Sequence, residues 1–337
     1  MIRLLLPVLA ALTLGGCVIQ TTGTLPRTGS SILQPGPDSP ASGFPTRLRW
    51  RELTPGVAFE AVAMQASGRG WLVGKVQSAS GRAVLRRTED GGVTWAIQDR
   101  GRLDLLAVAA LGETTAVAVG RGGVVFRTDD GGARWTLQDA GTDEDLVAVG
   151  FGDMSRGYAL TGEGTLITTT DGGRTWTPRM TTGADHLQVL RDGTVLLHDD
   201  RRIMHWGPYG LAHLGTISGL VSLHAVDDAG QELWAIGSGN RLLQSMDGGN
   251  TWDSVMTLAT QDRWLRQPTA QAMAFGAEGR GMILSRIGLL TTLDGGQSWL
   301  EGDIALFATV QPWLHLLEDG SALAGSRGRT LWRLMPY

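Results

Sequence analysis

Five aspartates recur in one local setting, and their type and spacing are where chemistry would first be sought. Asp90, Asp130, Asp171, Asp247 and Asp294 sit in TEDGGVTW, TDDGGARW, TTDGGRTW, SMDGGNTW and TLDGGQSW, closed by Trp95, Trp135, Trp176, Trp252 and Trp299. Carboxylates that face each other across a cleft would equip a glycoside hydrolase. The pattern [ST]-x-D-G-G-x-x-W also equips a turn. The Asp can accept hydrogen bonds from the backbone N–H groups that follow it, the glycines can take positive φ, and the Trp can fold back as an apolar plug between sheets. Writing the same corner five times favours the second use. The carboxylates are therefore expected to be occupied by the turns, and no catalytic residue is assigned.

Other chemistry-bearing residues are less patterned. His186, His198, His205, His213 and His224, with Asp199 and Asp200, fall in one region, and His and Asp suit Zn²⁺ or similar ions. Their spacing matches no metal-binding motif, so neither a metal ligand nor a cofactor is assigned.

The elements that must position these residues follow from the intervals. Successive box aspartates are 40, 41, 76 and 47 residues apart, and 76 is close to twice 38, so one repeat between Trp176 and Ser245 has lost its box. Each repeat holds several short alternating runs: in the second, LLAVAAL, TAVAVG, VVFRT and, after the box, WTLQD. Periods of this length built from four short strands predict an all-β propeller, with the box joining the third and fourth strands of each blade. The degenerate repeat reads LQVL, TVLLHD, RIMHW and LAHLG. After Trp299 only three strands remain (LFATVQPWLHLL, SALAG, RTLWRL), whereas RWRELTP at Arg49–Pro55 resembles the segment that follows a box. The expected fold is a seven-bladed β-propeller whose N-terminal strand completes the last blade, which removes the exposed edge at the seam. A ring closed in this way is expected to be monomeric.

In that arrangement the turns between second and third strands lie on the face opposite the boxes. They carry Arg82, Arg121, Arg201 with Arg202, Arg241, Arg286, and Arg327 with Arg329. The third blade is the exception, with Glu163. A ring of guanidinium groups suits bidentate capture of carboxylates on a partner. Asp139, Asp143, Glu144 and Asp145 belong to the same face and would neutralise part of it. Arginine is also simply the usual cation here, since Lys75 is the single lysine. Trp71 and Trp234 fall on second strands and are expected in the core; Trp264 and Trp313 lie near loop boundaries.

The repeated box is the Asp-box, or bacterial neuraminidase repeat. With GRGWLVGKV before the first box and AVAVGRGGVVFRTDDGGARW spanning the second, the chain from about Leu48 to Leu334 resembles the photosystem II stability and assembly factor family. The resemblance implies a seven-bladed propeller that holds a membrane-protein subunit during assembly and uses an arginine patch to do so. Sialidases share the box, but their chemistry resembles a Tyr nucleophile with a Glu, an arginine triad and an Arg-Ile-Pro motif. No Arg-Ile-Pro occurs, and Tyr158 with Glu163 nearby is the best available pair. A carbohydrate-active enzyme or glycan-binding propeller is the alternative from another class.

Bulk properties set the remaining expectations. Net charge is −4, which argues against nucleic acid as the partner. Arg3, the apolar run Leu4–Leu14 and Leu14-Gly15-Gly16-Cys17 resemble a lipoprotein signal, too short to span a bilayer. Residues 1–16 are read as signal peptide, with Cys17 as the lipid-modified N-terminus. Residues 17–46, rich in Thr, Ser, Gly and Pro, are read as a tether with a reach of roughly 30 Å. Residues 47–337 are read as the propeller. Val18 after the Cys suggests an outer-membrane anchor facing the periplasm, so the expected partners are the bilayer, through the acyl chain, and a subunit of an envelope complex.

Overall fold

The computed structural model describes residues 48–53, 57–65, 67–76, 83–99, 104–190, 192–227, 229–258, 270–275, 279–285, 289–302, 312–316, 321–326 and 331–336. Cys17 and the segment read as a tether lie outside the described residues, as do Arg82, Arg286, Arg327, Arg329 and Trp264.

The chain makes seven four-stranded antiparallel sheets. The first blade is β2 (Val57–Met64), β3 (Gly70–Val76), β4 (Ala83–Thr88) and β5 (Ala96–Asp99); the second is β6 (Leu105–Ala110), β7 (Ala116–Gly120), β8 (Val125–Thr128) and β9 (Thr136–Gln138). The third comprises β10 (Leu146–Phe151), β11 (Gly157–Thr161), β12 (Thr165–Thr169) and β13 (Thr177–Thr181). The blade without a box is the fourth: β14 (His186–Val189), β15 (Val195–His198), β16 (Arg202–Gly207) and β17 (Gly210–Thr216). Next come the fifth, β18 (Ser222–Ala225) to β21 (Asp253–Thr257), with β19 (Leu233–Gly237) and β20 (Arg241–Ser245) between, and the sixth, β22 (Ala270–Phe275) to β25 (Leu300–Gly302), enclosing β23 (Gly281–Ser285) and β24 (Leu289–Thr292). The seventh takes β26 (Pro312–Leu316), β27 (Ala322–Ser326) and β28 (Leu331–Pro336) from the C-terminus and β1 (Leu48–Glu52) from the N-terminus.

The seam is the one the sequence predicts. β1 pairs with β28 from Leu48↔Pro336 to Glu52↔Trp332, and the Leu53 N–H extends the ladder to the Leu331 carbonyl at 2.8 Å. Joining the two chain ends in one sheet covers the edge of β28 and gives the seventh blade the same four strands as the others.

Burial explains why these runs become strands in this order. β6 and β7 are buried at every position, because an inner strand packs against a neighbouring blade on both faces. The alanines there are fully buried between blades, Ala107 and Ala109 toward the third and Ala116 and Ala118 toward the first. The outermost β13 is exposed throughout, which is why WTPRM carries polar residues. The core lies between blades. One apolar cluster joins the first and second blades, another the second and third, and one around Leu314, Leu323 and Val62 runs across the sixth, seventh and first. Trp71 and Trp234 are fully buried in the ring, and Trp234 stacks on Phe275 with centroids 5.2 Å apart.

In the fourth blade the box is replaced by a two-residue hairpin, Pro208-Tyr209, closed by the pair Gly207↔Gly210. Gly210 takes φ 100°, a conformation that a residue with a Cβ adopts only with strain. Tyr209 stands fully exposed at its tip.

Candidate functional site

All five boxes form one corner. The Ser or Thr hydroxyl donates to the Asp at 2.8–2.9 Å and accepts the N–H of the second glycine at 2.8–2.9 Å. The Asp accepts the N–H four residues on at 2.8–2.9 Å. In four boxes it also accepts that residue's hydroxyl, from Thr94, Thr175, Thr251 and Ser298. The first glycine donates to a carbonyl in the loop between the first two strands of its own blade, as in Gly91 to Gly68 and Gly131 to Thr114. Both glycines take φ between 70° and 93°. The Trp indole donates back to the second glycine's carbonyl in four boxes; Trp135 does not.

This bonding sets the charge of the boxes. The hydroxyl and N–H of Thr251 hold Asp247 down at about 2. At Asp171 burial acts upward, but bonds from Thr175 and Thr169 outweigh it, also to about 2. Such a carboxylate stays ionised and has its acceptor sites filled by its own turn, which suits a structural corner and not a proton carrier.

Three further arginines connect one blade to the next box. Arg127 on β8, only 4% exposed, donates to the Gly172 carbonyl in the third blade's box and pairs with Asp129. Arg333 on β28 donates to the Gly91 carbonyl of the first blade's box at 3.0 Å and to Ser321 Oγ at 3.2 Å. Arg87 on β4 pairs with Glu89 at 2.9 Å and lies against Gly131, where an added Cβ would meet its Nη1 at 2.8 Å. The three occupy one register position, opposite the second residue of the adjacent strand: Trp71, Val117 and Leu323. Sequence reasoning passed over them because they look like surface cations. The available signal was an Arg directly before the box Thr in both RRTEDGG and FRTDDGG.

The face away from the boxes is uneven in charge. Arg121 is held by Asp145 at 2.9 Å and lies 3.6 Å from Asp104. Arg202 is bound to Asp199 at 2.5 Å. Arg201 and Arg241 are exposed and make no ion pair among the described residues; Arg241 Nε donates weakly to the Ser238 carbonyl at 3.4 Å. Their two turns are stitched to one connection: Ile217 N–H donates to the Arg201 carbonyl and Ser238 N–H to the Ser218 carbonyl, each at 2.8 Å. Arg201 and Arg241 therefore belong to one stretch of surface over the junction of the fourth and fifth blades. Glu163 occupies the corresponding turn of the third blade and is exposed.

The histidines divide. His186 and His198 come together, rings stacked with centroids 4.4 Å apart, and Asp185 joins them. Burial, with His186 beside it, pushes the His198 imidazole down to about 3, so it is neutral. His224 is buried between the fifth and sixth blades, where its Nε2 accepts the Phe275 N–H at 3.2 Å. His205 and His213 stay on β16 and β17, and Asp199 is engaged by Arg202.

Tyr158 and Glu163 do not converge. Tyr158 is half-buried near the box end of β11 and Glu163 lies beyond its other end, a span of roughly 16 Å for five residues of strand. Burial raises the Tyr158 pKa, which is the wrong direction for a nucleophile. Trp313 lies on β26; its side chain is outside the described residues.

No protein-family model matches the chain. In sequence it is distantly similar to the photosystem II assembly protein Ycf48 of Synechococcus sp. (strain JA-3-3Ab), 24% identical over 248 residues. That match takes in 73% of this chain and 61% of the relative, so the chain matches about three fifths of that protein's length. In fold it is similar to the structure of Ycf48 bound to D1 peptide, with a TM-score of 0.67 and 19% identity over 92% of this chain and 100% of the other. It is also similar to virginiamycin B lyase from Staphylococcus aureus, at TM-score 0.63 and 11% identity over 86% and 99% of the two chains. Propellers of this shape thus include an enzyme as well as a peptide-binding protein.

Proposed function

We propose that this chain is a non-catalytic binding propeller, held in the cell envelope by lipid on Cys17, that captures a carboxylate-bearing segment of a membrane-protein subunit on the face opposite its boxes. The observation that carries this reading is the pair Arg201 and Arg241, exposed on adjacent blades and free of ion pairs among the described residues. Arginines in that state offer planar, charge-assisted donors to a carboxylate without first breaking an internal pair. Arg121 is already committed to Asp145 and Asp104, so it contributes less. The distant similarity to an assembly protein, and the fold shared with a propeller bound to a peptide, support the same reading. The box aspartates, being locked in their turns, supply no acid–base pair.

Cross-linked affinity purification from intact membranes, wild type beside Arg201→Glu/Arg241→Glu, tests it. A partner recovered only with wild type, from a variant that melts like wild type, is the expected result. An identical partner list from both proteins defeats the assignment of this face. The anchor is tested separately: labelled fatty acid should enter the wild-type protein and not Cys17→Ser.

A further inference from the structure

The fourth blade, which lacks a box, carries a cluster that the binding role does not use. Antiparallel pairing of β14 with β15 sets His186 directly opposite His198. The Asp185 N–H donates to the His198 carbonyl at 3.2 Å, which fixes Asp185 beside the same pair. One ligand atom from each of Asp185, His186 and His198 lies within 4.8 Å of the others. His186 Nε2 and Asp185 Oδ1 are already 3.6 Å apart.

The His198 ring makes the hydrogen bond that metal-binding imidazoles make, whereas the exposed His186 ring, stacked on it with planes 17° apart, must turn about its side-chain bonds to aim a nitrogen at the same ion. His198 Nδ1 is 3.1 Å from the Asp199 carbonyl oxygen. A carbonyl can only accept, so Nδ1 carries the proton and Nε2 keeps its lone pair. A carbonyl partner of this kind fixes ring and tautomer in metal-ligating histidines. The Asp199 turn is itself held rigid: its carboxylate accepts the N–H groups of Arg201 and Arg202 and the Arg202 guanidinium. Asp185 and His186 have side chains 67% and 53% exposed, which leaves a path for an ion to enter.

We infer that Asp185, His186 and His198 form a site for a borderline divalent transition metal, Zn²⁺ or Ni²⁺, bound by two imidazole nitrogens and one carboxylate oxygen. Two nitrogen donors select against Mg²⁺ and Ca²⁺, which take oxygen shells. Three protein ligands leave a coordination position open to water or to an incoming carboxylate. The site does not depend on the arginine face being a docking surface. His205 and His213 are not members of it.

The test is isothermal titration of tag-free full-length protein with ZnCl₂ and with NiCl₂. Cys17→Ser serves as the background, so that the chain's single thiol contributes nothing. One ion per chain at low-micromolar affinity is expected. His186→Ala and Asp185→Ala, both at exposed positions, should weaken binding at least tenfold, and His213→Ala should leave it unchanged. Co²⁺ substitution should give visible absorption bands that His186→Ala abolishes. No stoichiometric ion in the parent protein overturns the assignment, as does undiminished binding by His186→Ala.

Discussion

Acidification from pH 7 to pH 5 should destabilise this propeller through its buried histidines, and His224 allows the effect to be isolated. Its ring is buried in the junction of the fifth and sixth blades, 5.6 Å from the Phe275 ring, and its Nε2 accepts the Phe275 N–H. Burial pushes its pKa down from 6.5 to about 3. The sign follows directly. The unfolded chain takes up a proton below 6.5 and the folded chain does not until about 3, so the stability contribution is complete above 6.5 and is lost as pH falls toward 3. At pH 5 the loss from this one residue is about 2 kcal/mol. Carboxylates starting from 3.8 barely titrate at that pH, which keeps the window clean. His315, likewise buried and lowered to about 3 with His224 as a secondary cause, acts in the same direction. The perturbation is His224→Gln, which keeps an acceptor for the Phe275 N–H and cannot charge. Urea unfolding at pH 7 and pH 5 measures the difference within each protein, so any intrinsic cost of the substitution cancels. The wild type should lose about 2 kcal/mol more than the variant between the two pH values. Equal losses in both would refute the reasoning and mean that the His224 ring is hydrated or already protonated in the fold.

Three other outcomes are expected. Arg333→Ala should cost about 2 kcal/mol by leaving the Gly91 carbonyl without its charged donor, and hydrogen exchange should speed up in β1 and β28 before other strands. Trp176→Ala should cost about 3–5 kcal/mol, read as a shift in denaturation midpoint, since the ring is 6% exposed and fills the junction of the second and third blades. Asp171→Asn should flatten the stability loss between pH 4 and pH 2: a carboxyl lowered to about 2 contributes stability above its unfolded value of 3.8, and that contribution is lost as pH falls through the folded value. Thermal melts across that range check it.

The fold and the inner part of each corner were legible because they are local. A Ser or Thr, an Asp, two glycines and a Trp within eight residues bond almost entirely to one another, so the corner can be read wherever it is written. Five copies plus a gap of doubled length count six blades, and the two incomplete ends count the seventh. The pairing of β1 with β28 could be inferred because a lone fourth strand at one end matches a missing one at the other.

What the tertiary structure alone decided lies between blades and across strands. Arg87, Arg127 and Arg333 look like surface cations in sequence; blade packing turns them toward the next box. The sequence placed Asp145 on the arginine face without saying which arginine it meets; packing sets it on Arg121, with Asp104 from the preceding connection beside it, and leaves Arg201 and Arg241 without an ion pair among the described residues. Of five histidines grouped in sequence, strand register joins only His186 and His198, and adds Asp185, which nothing in the spacing had singled out. The physical reason is the same in each case. Hydrogen bonds inside a turn depend on nearest neighbours along the chain, whereas charge pairing and ligand geometry depend on register and packing between segments that the sequence does not place side by side.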